Sequence, residues 1–110
     1  WQYSQTSINT AARIVEVVSG QTFDVFASER LFQPLGMKDT AFYLTAEQQQ
    51  RLATSYEHTK EGKLEPRPIM ILQGKQPTDP HRMPAANGGL FSTIQDYAVF
   101  AQMLLNEGTW

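Results

Sequence analysis

NGGLFSTIQDYAVFAQMLLNEG, residues 87–108, is the stretch on which the fold turns. The paired glycines Gly88 and Gly89 allow positive φ or a close approach of backbone. Ser92-Thr93-Ile94-Gln95 has the spacing of a capping box, which satisfies free N–H groups at a helix start. Ile94, Tyr97, Ala98, Ala101, Leu104 and Leu105 then recur at intervals of three and four, the one-face signature of an amphipathic helix. On this reading Tyr97, Phe100 and Leu104 are core residues, and the helix stops at Gly108.

Upstream, Ile8, Ala11, Ala12, Val15 and Val18 predict an amphipathic helix that Gly20 terminates. Thr22 is placed to cap a second helix carrying Phe23, Phe26, Ala27 and Leu31, ending before Pro34. Pro34-Leu35-Gly36-Met37 reads as a turn with Leu35 and Met37 as apolar plugs. Thr45-Ala46-Glu47-Gln48 is another capping box, predicting a short helix through Leu52. Residues 56–59 and 63–65 flank Lys60-Glu61-Gly62, a hairpin with Gly62 in its turn. Five prolines between Glu65 and Asn87 exclude regular helix or central strand there. That segment is expected to be a long surface loop around Ile69-Met70-Ile71-Leu72. The sum is a mostly α chain with a small β-hairpin.

The 110 residues are enough for one domain, and 41% hydrophobic with 18% charged residues is globular composition. A net charge of −2 argues against nucleic-acid binding through a basic patch. No apolar run approaches the roughly 18 residues of a membrane span. With no cysteine, disulfides, thiolate nucleophiles and cysteine-based zinc sites are excluded. The chain opens on Trp1 and ends on Trp110, just after a helix stop, so the expectation is an internal piece of a longer protein.

Self-contained catalytic motifs are missing. The sequence holds no G-x-S-x-G, no H-E-x-x-H and no S-x-x-K. Asp79 and His81 alone make a poor metal site, and Gly88-Gly89 lacks the Lys-Ser/Thr of a phosphate loop. What remains is an ordered set. Tyr3-Ser4-Gln5 comes first, then Pro34-Leu35-Gly36-Met37-Lys38-Asp39-Thr40, then Arg51-Leu52-Ala53 with Tyr56. Ala86-Asn87-Gly88-Gly89-Leu90-Phe91-Ser92-Thr93 and Asp96 with Phe100, Met103, Leu104, Leu105 and Asn106 complete it. This order resembles the serine β-lactamase-related family: class C β-lactamases, family VIII-type esterases and D-alanyl-D-alanine peptidases. The resemblance covers nearly the whole chain and is weakest from Glu57 to Pro84.

The resemblance implies that residues 1–110 are part of the helical subdomain of an α/β (α+β) serine hydrolase. In that family a serine of S-x-x-K is acylated, a tyrosine of Y-x-N moves the proton, and a K-T-G or H-x-G strand lines the acyl pocket. Only the second motif has a counterpart here. Tyr3 would be general base and acid, and because a phenol is mostly protonated at neutral pH it needs lysine ammonium groups nearby. Those lysines, like the nucleophile, would lie elsewhere in the longer protein, so this chain alone is expected to be inactive. Gln5 stands where the family usually has Asn, and its extra methylene shifts the amide by roughly an ångström. Gly88 and Gly89 are candidate substrate contacts, and the Glu65–Asn87 loop a candidate substrate-selecting rim. Lys60-Glu61-Gly62 precedes Gly88 and is a solvated turn rather than the family's K-T-G.

The partner implied is a small acyl substrate: a β-lactam, an ester or a D-alanyl peptide. No metal or organic cofactor is implied, and localisation is left open, a periplasmic or secreted parent being one expectation. The alternative reading is a non-catalytic binding or interaction module that kept the fold and lost the chemistry, with self-association through exposed apolar faces.

Overall fold

The computed structural model describes residues 1–109; the expected position of Trp110 after the helix stop lies outside them. The chain divides into two compact units, residues 1–42 with 83 onward, and residues 43–82.

In the first unit, α1 spans Gln5–Ser19. Ser4 caps it, its hydroxyl accepting the Ser7 N–H at 3.3 Å. At the other end Gly20 adopts φ 73°, as the sequence predicted, and returns its N–H to the Glu16 carbonyl at 2.9 Å. α2, Phe23–Ala27, follows at once and continues as a π-helical turn over Ser28–Phe32. Thr22 is its N-cap residue, but the side chain that takes the Phe23 N–H, at 2.9 Å, is Glu16 of α1. The same carboxylate accepts from Arg13 Nη1 at 2.7 Å. These two bonds, the Arg13 one first, hold the Glu16 carboxyl below the usual carboxylate range. One side chain thus joins the end of one helix to the start of the next.

After α2 the chain turns through Gly36 (φ 68°), with Leu35 and Met37 both buried as expected. They join Ala12, Ala27, Phe32, Phe42 and Met103 in the core of this unit. Phe23 meets Phe42 edge-on, ring centroids 5.7 Å apart. Ala41 and Phe91 exchange both backbone hydrogen bonds, at 3.0 and 2.9 Å, in an isolated antiparallel bridge.

α4 spans Ile94–Leu105. Its cap is one residue later than the sequence reading placed it. Thr93, not Ser92, accepts the Asp96 N–H, at 3.3 Å. Its C-terminal turn also differs. The Gly108 N–H reaches back to the Met103 carbonyl at 3.0 Å, and Glu107 holds a left-handed φ of 56°.

The faces of the two long helices correct the sequence reading further. Only Ala12 of the predicted α1 stripe is buried, and Val18 is 83% exposed. On α4, of the predicted core residues Phe100 is half-buried but Tyr97 and Leu104 are exposed, as are Ile94 and Leu105, while Asp96 and Met103 are buried. The physical reason lies at Asp96, whose hydrogen bonds to Asp39 and Thr40, at the end of the distant Pro34–Thr40 turn, set the rotation of the helix about its axis.

In the second unit, the Thr45–Gln48 capping box is present in full and starts α3, Ala46–Gln50. The regular helix stops short of Leu52, whose N–H instead closes a tighter turn on the Gln49 carbonyl at 3.2 Å. β1 (Tyr56–His58) pairs antiparallel with β2 (Leu64–Pro66), Glu57 opposite Glu65, and Gly62 turns the hairpin at φ 75°. Arg67 forms an ion pair with Glu57, relieving the like charges across the strands. The proline-rich loop contains one 3₁₀ turn, Met70–Leu72, and buries Leu72 while Met70 stays exposed. Tyr43 and Arg82 close this unit. The Tyr43 hydroxyl donates to the Arg82 carbonyl at 2.8 Å, and the Arg82 guanidinium lies 5.3 Å from the Tyr43 ring centroid. Arg82 Nη2 donates at 3.1 Å to the Pro77 carbonyl, which also accepts the Leu44 N–H.

Candidate functional site

Tyr3 stands one residue ahead of the α1 N-cap, half exposed, and Gln5 is the first residue of the helix, also exposed. The local sequence explains the placement. Ser4 in the extended conformation starts the helix, so the residue before it projects beyond the helix end and the residue after it lies on the first turn.

The glycine pair sits in the same unit. Gly88 and Gly89 both donate backbone N–H bonds to the Ala85 carbonyl, at 3.2 and 2.7 Å. Neither has positive φ. What Gly89 supplies is close approach: a Cβ there would sit 3.0 Å from both the N and the O of Ala85. Gly89 is buried and Gly88 exposed, so of the two only Gly88 faces open solvent.

Two connections that sequence reasoning missed tie these motifs together. Asn9 sits one helical turn after Gln5, and its Oδ1 accepts the Asn87 N–H at 3.3 Å. The glycine turn is therefore fastened to the helix whose start carries Tyr3. The other connection runs through Asp96. Its Oδ2 accepts the Asp39 N–H and the Thr40 hydroxyl, each at 2.8 Å, and Thr40 Oγ1 lies 2.8 Å from Ser92 Oγ. Thr40 and Asp96 are both buried. The Pro34–Thr40 motif and the Gly88–Asp96 motif, separated by about fifty residues, are thus two halves of one hydrogen-bonded clasp. The available signal was an acidic residue in the first turn of a helix, with a turn ending in Asp39-Thr40 upstream, which by itself names no partner.

The proline-rich loop carries an open groove of about 500 Å³ within the second unit. Leu52, Ile69, Leu72 and Pro77 supply its apolar walls, and Arg67 and Lys75 its cationic ones. Asp79 Oδ1 accepts the His81 N–H at 2.8 Å, a bond within the loop itself. Among the described residues no three His, Asp or Glu side chains are grouped to hold a metal ion. In chemical terms the described residues offer a half-exposed phenol, an exposed primary amide and a rigid glycine turn.

Comparison with known proteins shows the family. The family model described as Beta-lactamase matches residues 1–109, and the chain belongs to that family. Uncharacterized protein MT1414 of Mycobacterium tuberculosis (strain CDC 1551 / Oshkosh) is 34% identical over 103 residues, 94% of this chain and 25% of its own length. Protein Rv1367c of Mycobacterium tuberculosis strain H37Rv is similar to the same extent, 34% over 103 residues with the same coverage. The chain therefore spans about a quarter of the length of the curated relatives it matches.

Proposed function

We propose that this chain is the proton-handling segment of a serine hydrolase that transfers acyl groups. The nucleophilic serine lies in a part of the longer protein outside these residues. That serine attacks the carbonyl of an ester, an amide or a β-lactam, and its hydroxyl proton passes to the Tyr3 oxygen. As the tetrahedral adduct collapses, Tyr3 returns the proton to the leaving oxygen or nitrogen, and the acyl group stays on the serine. Water then attacks the acyl-enzyme, giving its proton to Tyr3, which passes it to the serine oxygen as the acyl–oxygen bond breaks, and the free acid leaves. Gln5 would orient the substrate by its side-chain amide. The Gly88 turn, fastened to α1 through Asn9, would form the floor beneath the acyl group.

The observation that carries this reading is the family match over residues 1–109, with Tyr3 directly ahead of a capped helix start. The test uses the full-length protein with a chromogenic cephalosporin, p-nitrophenyl butyrate and a D-alanyl-D-alanine peptide. The expected result is turnover of at least one of them with formation of a covalent acyl adduct. Tyr3→Phe should lower kcat by roughly 10²–10⁴-fold, the range for loss of a positioned acid–base group, and leave KM little changed. Substrate binding without any acyl adduct would instead establish the binding-module reading, which the replacement of the family's Asn by Gln5 favours.

A further inference from the structure

Asn9 completes hydrogen bonding that the glycine turn leaves open. Inside the turn the Ala85 carbonyl takes the N–H groups of both Gly88 and Gly89. The Asn87 N–H, one residue earlier, is part-buried and needs an acceptor from elsewhere. Asn9 Oδ1 supplies it at 3.3 Å, across 78 residues of sequence. A backbone N–H can only donate, so the Asn9 amide must present its oxygen here, and that requirement fixes which way the side chain faces.

The place of Asn9 on α1 gives this bond its reach. At 3.6 residues per turn, Gln5, Asn9, Ala12 and Glu16 fall within about 60° of one another around the helix axis. Ala12 is buried, Asn9 is half-buried and Glu16 holds the Phe23 N–H, so this is the face α1 turns toward its own unit. Gln5 stands at the exposed end of that face, about 6 Å along the axis from Asn9. The turn on the other side of the bond is stiff, because Gly89 lies so close to Ala85 that a Cβ would meet backbone at 3.0 Å. Beyond Gly89 the chain is held by the paired backbone bonds between Phe91 and Ala41. The turn therefore has a backbone anchor behind it and a side-chain anchor at Asn87. The side-chain anchor relates it to the helix that starts beside Tyr3 and Gln5.

From this geometry we infer that Asn9 is a positioning residue for acyl transfer. Its amide oxygen holds the Gly88 turn in register with the Tyr3 end of α1, so that the floor beneath the acyl group and the proton carrier keep one spacing. Asn9 acts through the Asn87 backbone and does not touch substrate. This role rests on the hydrolase reading, in which Tyr3 moves the proton. Displacing a catalytic group by about 1 Å can cost roughly 100-fold in rate. The role needs the oxygen of Asn9 and not its bulk. Asp keeps an acceptor at that position, whereas Leu keeps the shape and loses the acceptor.

The test uses the full-length protein with whichever of the cephalosporin, p-nitrophenyl butyrate and D-alanyl-D-alanine peptide it turns over. Asn9→Leu should lower kcat by roughly 10–100-fold. KM should change by less than about threefold, since no contact with bound substrate is removed. Asn9→Asp should return kcat to within about threefold of the unsubstituted protein. Amide hydrogen exchange, read residue by residue by mass spectrometry on the same proteins, reports on the bond itself. Exchange at Asn87 should quicken at least about tenfold in Asn9→Leu, while exchange at Phe91, bonded to Ala41, stays unchanged. Unchanged kcat in Asn9→Leu, with the unsubstituted protein active, overturns the positioning role alone. So does an Asn9→Asp protein that stays as slow as Asn9→Leu, because the oxygen would then not be what matters. Equal quickening at Asn87 and Phe91 also overturns it, by showing a general loss of stability. An unsubstituted protein that turns over none of the three compounds refutes the hydrolase reading, and the positioning role falls with it.

Discussion

Replacing Asp96 by Ala removes the acceptor at the centre of the clasp. Two donors lose their partner: the part-buried Asp39 N–H and the buried Thr40 hydroxyl, both now 2.8 Å from the carboxylate. Hydrogen bonds to a charged group contribute about 1.5–3 kcal/mol each, and a buried donor left unsatisfied costs its full desolvation. Thr40 keeps Ser92 as a neighbour at 2.8 Å, which limits its share. Relief of the desolvation of a buried carboxylate offsets part of the remainder. The net expectation is a loss of about 3 kcal/mol. With a urea dependence of about 1–3 kcal/mol/M for a small protein, the unfolding midpoint should fall by about 1–3 M. The assay is urea unfolding followed by far-UV circular dichroism. Asp96→Asn keeps one acceptor oxygen and should lose about half as much. A double-mutant cycle with Thr40→Val should show a coupling of about 1–3 kcal/mol. An Asp96→Ala midpoint within about 0.5 kcal/mol of the parent, the range of an indifferent surface change, would refute the clasp as a stabilising element.

Three further outcomes are expected. Gly89→Ala should destabilise by about 1–3 kcal/mol, because its Cβ would press on Ala85 backbone atoms 3.0 Å away that no rotamer change can move; a neutral thermal shift would contradict this. Glu107→Gly should raise stability by about 0.5–1 kcal/mol by removing a left-handed non-glycine residue from the end of α4, and a lowered melting temperature would count against that account. The Glu16 carboxyl is held low chiefly by its Arg13 hydrogen bond and then by the Phe23 amide, so its ionised form favours the folded state. Its contribution is complete above the ordinary glutamate value near 4.5 and is lost as pH falls through the lower folded-state value. Stability-versus-pH curves of Glu16→Gln and the parent should therefore converge in acid, and parallel curves down to the acid limit would disprove the linkage.

Much of this protein is legible without coordinates because the signals act over a few residues. The Thr45–Gln48 box, the Gly20 stop, the Gly62 hairpin turn and the plugs Leu35 and Met37 all stand where local chemistry puts them. Capping bonds, positive φ and proline exclusion need no distant partner. The order of motifs likewise marked the β-lactamase family from residues alone. Tertiary structure decided what local pattern leaves open. Periodicity said that α4 is a helix and which residues are apolar, but the helix has apolar residues on both sides. Which side faces this unit's core was settled by a carboxylate bonded to backbone and hydroxyl groups 57 and 56 residues away. Glu16 took over the Thr22 capping role, Asn9 fastened the glycine turn to α1, and Arg82 closed the proline-rich loop for the same reason. A side chain's hydrogen-bond partner is chosen by where the fold brings it, and spacing along the chain does not record that.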